Sequence, residues 1–240
     1  MEPAQLWTNG PIYRYRAHPP CTDSLLLADF AETAGVRSCI DLGCGEGLLM
    51  LLLCARSPEL RIDGVELCEE NAALCRRNMA DNALSDRVHV IHGDLRLCVN
   101  TLPSGAYDLV ISNPPYFPAG GGYSSPDAIR SAAREEHGLT PADLCAAAAR
   151  LCRNGGRFVV VYRSDRLTDL ICAMRSAHLE PKRMRFIAHS VEAKPGLVLV
   201  EACRNARPGS LVCLPLLVLR GPDGRDSPEL KRICHMEDPV

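Results

Sequence analysis

Apolar residues in this chain fall into short bounded runs that alternate with stretches of helical period, and glycine or proline marks many of the boundaries. Residues 38 to 42, Ser-Cys-Ile-Asp-Leu, read as a buried strand. Gly43-Cys44-Gly45-Glu46-Gly47 then leads into the apolar stretch 48 to 53, which reads as a helix. The same alternation predicts a strand over 61 to 66, a helix over 69 to 81, and strands over 88 to 92 and 107 to 112. It continues with a helix over 141 to 153, a Gly155-Gly156 turn, a strand over 158 to 162 and a helix over 165 to 177. Strand-like runs at 184 to 187 and 196 to 202 close the series.

Strands alternating with helices across short connections predict an α/β fold: a doubly wound, seven-stranded, mostly parallel sheet with helices on both faces, a Rossmann-like architecture. We expect one domain over residues 1 to 220, with an N-terminal segment (1 to 36) ahead of the first core strand. Residues 221 to 240 form a tail with room for a short helix. Residues 117 to 140 make a connection too long for a simple turn, containing Gly120-Gly121-Gly122 and a candidate short helix at 127 to 136; loops of that length inside compact domains are usually functional or disordered.

Composition narrows the class. The chain of 240 residues is 47% hydrophobic and 23% charged, with no apolar stretch long enough to span a bilayer, and Met1-Glu2-Pro3-Ala4-Gln5 lacks the layout of a signal peptide. We therefore expect a cytoplasmic protein without a membrane partner. The thirteen cysteines include no Cys-x-x-Cys pair. Cys68 and Cys75, like Cys145 and Cys152, recur seven apart in helix-like segments, so they read as small apolar side chains and not as metal ligands. No metal is expected. The net charge of −2 conceals an asymmetry: residues 1 to 149 hold 11 basic against 19 acidic residues, while residues 150 to 240 hold 16 against 10. The basic half suits a phosphate-bearing partner.

The glycine loop supplies the first chemistry. Glycine permits positive φ and close approach of a ligand to the backbone. The spacing is Gly-x-Gly-x-Gly and not the dinucleotide Gly-x-Gly-x-x-Gly, which argues against NAD. Acids stand at three successive strand ends, Asp41, Glu66 and Asp94. Any one of them alone suits a helix cap; together beside a glycine loop they suit a nucleoside with a cationic part, and S-adenosylmethionine meets that demand with a sulfonium, an amino group, a ribose diol and an adenine amine.

Asn113-Pro114-Pro115-Tyr116 follows the strand 107 to 112. Two prolines fix φ near −65° and push Asn113 toward extended geometry, so its amide and neighbouring carbonyls can face one point beside the Tyr116 ring. Such a corner suits a planar amino group; Asn-Pro also commonly initiates a plain turn.

With these residues in hand, the chain resembles the class I S-adenosylmethionine-dependent methyltransferases. It is most similar to the bacterial family that methylates the exocyclic nitrogen of the adenosine 3′ to the anticodon of a valine tRNA. The resemblance runs through Tyr13-Arg14-Tyr15-Arg16, Thr22-Asp23-Ser24-Leu25-Leu26-Leu27, the glycine loop, Asn113-Pro114-Pro115-Tyr116-Phe117, Ala133-Arg134-Glu135-Glu136 and Leu179-Glu180-Pro181-Lys182-Arg183-Met184-Arg185-Phe186. Two positions depart from the family pattern: Arg134-Glu135-Glu136 replaces Arg-His-Glu, and Cys21 replaces the glycine before Thr-Asp.

The resemblance implies that Asp41, Gly43 and Gly45 meet the methionine end of the cofactor, Glu66 the ribose and Asp94 the adenine amine, with Leu67, Leu95 and Asn113 also contacting the cofactor, while Asp23 belongs to a segment that closes over it. Asn113 and the Pro114 carbonyl would accept the protons of the target amine, Pro115 would stiffen the corner and Tyr116 would stack on the base. Candidate contacts to a tRNA backbone are Arg14, Arg16, Arg130, Arg134, Lys182, Arg183 and Arg185. A monomer is the expected state. The same corner suits other planar amines, in ribosomal RNA guanine, DNA adenine or a protein glutamine; a binding module that has lost catalysis is a further alternative.

Overall fold

The computed structural model describes residues 3–16, 19–114 and 139–235. A two-stranded hairpin, β1 (Ala4–Gln5) with β2 (Ile12–Tyr13), precedes helix α1 (Thr22–Phe30). The alternating core follows: β3 (Ser38–Leu42), α2 (Leu48–Arg56), β4 (Arg61–Glu66), α3 (Glu69–Asp81), β5 (Val88–His92), the one-turn α4 (Leu95–Cys98) and β6 (Tyr107–Ser112). Beyond the undescribed stretch come α5 (Pro141–Leu151), β7 (Cys152–Arg163), α6 (Leu167–Ser176), β8 (Leu179–Ala188), β9 (Leu197–Arg204), the short β10 (Val212–Cys213) and β11 (Leu217–Val218), and α7 (Pro228–Ile233).

The seven expected strands are present, in the order β5-β4-β3-β6-β7-β9-β8, and β10 and β11 extend the β8 edge. All pair in parallel except β9, which runs antiparallel to both neighbours. Helices on both faces explain why the strands read as nearly continuous apolar runs. Along β7, Val159 and Val161 pack with α1 and α2 while Phe158 and Val160 pack with α5 and α6.

Four boundaries differ from the sequence pattern. Helix α5 stops at Leu151, and Cys152 already pairs with Tyr107, so Cys145 and Cys152 do not share a helical face. Gly155-Gly156 lies inside β7, where pairing jumps from Tyr107 with Cys152 to Leu109 with Arg157; Gly155 takes φ +73° within this bulge. β8 begins at Leu179, earlier than its apolar run suggests, because it carries Pro181 beside a register shift where the missing N–H does no harm. The helix expected over 165 to 177 starts with a 3-10 turn, Ser164–Arg166, before α6.

The tail does form a helix. Ser227 caps α7 by accepting the Leu230 amide at 3.1 Å, Pro228 occupies its first turn, and Leu230 and Ile233 are buried in the α1 core cluster. The candidate helix at 127 to 136 lies outside the described residues.

Candidate active site

β3 pairs with β4 on one side and β6 on the other, so the chain leaves β3 in opposite directions and opens a crevice at the carboxyl ends of these strands. The glycine loop, Glu66 and Asn113 all stand at this edge. In the loop, Gly43, Gly45 and Gly47 take φ of +84°, +55° and +90°. A Cβ at Gly47 would stand 2.6 Å from Cys75 Sγ, so that glycine serves packing; a Cβ at Gly43 or Gly45 would meet nothing within 4 Å. The backbone of these two is thus bare toward open space, as a ligand approaching it requires.

Two acids flank that space. Asp41 is 1% exposed, and its Oδ1 has no hydrogen-bond partner among the described residues. Burial first, and the negative charge of Glu66 second, push its carboxyl up to about 8. An unpaired buried carboxyl beside another acid is a place that calls for a cation or a donor. Glu66 accepts the Gly45 amide at 2.9 Å with one oxygen and the Cys68 amide at 2.9 Å with the other. Asp94 caps α4 through the Arg96 amide at 2.9 Å and receives the Arg96 guanidinium at 2.5 Å. Leu67 projects from the β4 end at 66% exposure, while Leu95 is buried. Together the set fits a nucleoside with a cationic end.

Asn113 emerges where β6 ends, one residue after Ser112, whose buried hydroxyl donates to the Leu42 carbonyl at 2.6 Å and ties the two strand ends together. The Asn113 Nδ2 donates to Ser24 Oγ at 3.0 Å and approaches Cys21 Sγ at 3.8 Å. Asp23 lies in the same first turn of α1. Pro114 is buried. Pro115 and Tyr116 lie outside the described residues.

The N-terminal segment reaches this site by anchors that sequence reasoning missed. Glu46, inside the glycine loop and buried, accepts the Arg16 amide at 3.0 Å and the Tyr13 hydroxyl at 3.3 Å. Asn78 of α3, fully buried, accepts the Arg14 amide at 2.9 Å and donates to the Arg14 and Glu46 carbonyls at 2.9 and 2.8 Å. Asn82, one helical turn on, holds Ile12 through both its amide and its carbonyl at 2.8 and 2.7 Å. The signal was available: Asn78 and Asn82 continue the inward face marked by Cys75 and Met79, where an asparagine needs a partner.

The basic candidates divide. Arg14 pairs with Asp81 at 2.6 Å, and the Arg16 side chain is exposed. Lys182 donates to the Arg207 and Gly209 carbonyls, both at 2.6 Å. Arg183 bridges Glu32 and Glu201 at 2.8 and 3.0 Å and lies 4.3 Å over the Phe30 ring, while Arg185 forks onto Glu229 at 2.7 and 2.9 Å. Each of these three is held by partners within the chain. Arg130 and Arg134 lie outside the described residues.

All thirteen cysteines are free, and the described residues hold no cluster of metal-ligating side chains. No helix among them is long and apolar enough to cross a membrane.

Residues 20–176 match the family described as methyltransferase small domain. The tRNA1(Val) (adenine(37)-N6)-methyltransferase of Aeromonas hydrophila subsp. hydrophila is 38% identical over 152 residues, a match that spans 63% of this chain and 62% of that protein. The protein of the same name from Erwinia tasmaniensis is 33% identical over 234 residues, spanning 92% of this chain and 91% of that one. Among solved structures, a protein of Agrobacterium tumefaciens titled a predicted O-methyltransferase superposes with a TM-score of 0.71 over 89% of this chain and 95% of its own; at 21% identity that likeness is one of fold.

Proposed function

The chain belongs to the methyltransferase small domain family, and from that premise we propose that it is an S-adenosylmethionine-dependent methyltransferase acting on the exocyclic N6 amine of an adenosine in tRNA, the one 3′ to the anticodon. The observation that carries the reading is the meeting, at one sheet edge, of Asn113 with a bare glycine loop and the unpartnered buried carboxyl of Asp41. The adenine and tRNA parts of the proposal draw their support from the relatives that bear that activity in their names.

When bound, the cofactor supplies an electrophilic methyl group on a sulfonium. The protein's share is to hold and aim. Asp41 would take the cationic end, the bare backbone at Gly43 and Gly45 would hold the methionine part, and Glu66 keeps lone pairs for the ribose diol. Asp94 would meet the adenine amine, with Leu67 and Leu95 beside the cofactor. Asn113 Oδ1 and the Pro114 carbonyl accept the two protons of the target amine, which draws its lone pair out of ring delocalisation and points it at the crevice. Tyr116 stacks on the base, which requires an unpaired nucleotide such as an anticodon loop offers. No dedicated base is needed, since an amine that has gained a carbon becomes cationic and loses a proton to water readily.

The proposal includes a monomer working in the cytoplasm; light scattering on the purified protein reads the first. The test of the reaction is to incubate the protein with radiolabelled S-adenosylmethionine and unmodified total tRNA and map the labelled nucleoside. Label in N6-methyladenosine beside the anticodon supports the reading; label in guanosine, in DNA or on protein overturns the substrate. Asn113→Ala should abolish transfer while the cofactor still binds.

A further inference from the structure

Resting on that reading of Asn113, we propose that Ser24 is a positioning residue for methyl transfer: it holds the Asn113 amide with its oxygen turned toward the target amine.

An asparagine amide has a donor end and an acceptor end, and only the acceptor can receive an amine's protons. Half a turn about the last side-chain bond would present Nδ2 instead, donor against donor. In the structure the donor end is spent elsewhere: Nδ2 gives a hydrogen bond of 3.0 Å to Ser24 Oγ and approaches Cys21 Sγ at 3.8 Å. The acceptor end is left for the substrate. Ser24 is suited to keep this arrangement. It is 6% exposed and in the first turn of α1, where a serine hydroxyl commonly turns to the helix backbone, yet α1 has no side-chain cap and this hydroxyl reaches across to Asn113. The Cys21 thiol donates to the same Ser24 oxygen at 3.1 Å, so that oxygen is engaged as an acceptor on two sides. A flipped amide would need the Ser24 hydroxyl to rotate and donate.

The placement also links substrate and cofactor ends. The strand and loop that lead into α1 are tied to the glycine loop through Glu46, and α1 then delivers Ser24 to Asn113. Neither the glycine loop nor the Asn-Pro-Pro-Tyr corner contains this serine, so neither motif points to it.

The experiment compares Ser24→Ala, Ser24→Thr and Asn113→Ala in the full chain, measuring kcat with tRNA, S-adenosylmethionine affinity by calorimetry, and Tm. Loss of one neutral hydrogen bond that matters only when the amine is engaged should lower kcat by about tenfold in Ser24→Ala. Cofactor affinity should stay within about twofold, and Ser24→Thr, which keeps the hydroxyl, should recover most of kcat. If Ser24→Ala keeps full kcat while Asn113→Ala is dead, the positioning role is overturned and the site reading stands. If cofactor affinity and Tm fall in step with kcat, or Thr recovers nothing, Ser24 is merely structural and the proposal is lost. If Asn113→Ala is fully active, the site reading itself fails and takes this role with it.

Discussion

One oxygen of Glu66 accepts the backbone amide of Gly45 at 2.9 Å, so the acid at the end of β4 also fixes the loop at the end of β3. The other oxygen caps the turn into α3 through Cys68. A carboxylate offers about four lone-pair sites, and two of them remain for a ligand. Glu66→Ala should therefore weaken S-adenosylmethionine binding twice over, through a lost acceptor and a loosened loop, by about 100-fold in calorimetry. Glu66→Gln keeps one oxygen but offers an NH2 to a loop of amides, and we expect an intermediate loss of about tenfold. Equal affinities in Gln and Ala variants would mean the ligand contact alone matters.

Asp41 makes the protein respond to pH. Its carboxyl titrates near 8 in the folded chain and near 4 when unfolded, so between these limits the folded state binds the extra proton. Stability of the cofactor-free protein should thus fall as pH rises from about 4 to about 8 and level off above. Asp41→Asn removes this slope, and at pH 8 its Tm should exceed the parent's by roughly 4 °C, about 1–2 kcal/mol for a chain of this size. A cation beside the carboxylate favours the charged form. Cofactor binding at pH 7 should accordingly release a proton, seen as a buffer-dependent binding heat, and affinity should climb with pH until about 8. A binding heat independent of the buffer would remove Asp41 from the cationic end.

Asn78 connects the N-terminal segment, α3 and the glycine loop with every polar atom of its side chain. Asn78→Ala strands three backbone groups, two of them on Arg14, and should destabilise the protein by about 2–4 kcal/mol. Limited proteolysis distinguishes a local from a global effect: the variant should be cut ahead of Thr22 at protease levels that leave the parent intact. Asn82→Ala, which frees only the outer anchor at Ile12, should show the same pattern more weakly.

The parallel core was legible because both faces of its strands are covered, so strand after strand appears as an apolar run between glycines; the bounds of β4, α3, β5 and β6 follow directly from that pattern. Pattern failed where pairing overrode it. Gly155-Gly156 looks like a turn but is a bulge that β6 tolerates, and Pro181 hides the start of β8. At the site, the glycines and the acids were readable because a strand end beside a turn is a local feature. The Ser24–Asn113 and Glu46–Arg16 contacts were not, since each joins segments far apart in sequence through one hydrogen bond. The partners of Lys182, Arg183 and Arg185 within the chain were hidden for a related reason: charge is visible in a sequence, but its partner is not.

Arg183 and Arg16 should separate folding from RNA binding. Arg183 is held between Glu32 and Glu201 above Phe30, with its Nε buried, so its removal leaves Glu201 with only the more distant Arg157 among the described residues. Arg183→Ala should lower Tm on the order of 5 °C, about 2 kcal/mol, and leave the salt dependence of tRNA binding unchanged. The exposed Arg16 is tied to the glycine loop through its backbone bond to Glu46. If it meets a phosphate, Arg16→Ala should leave Tm alone and reduce the slope of log affinity against log salt by about one. Filter binding from 50 to 200 mM salt, a range chosen to span a large change for a protein with several phosphate contacts, reads both. A reduced slope in Arg183→Ala with an unchanged Tm would return that residue to the RNA surface.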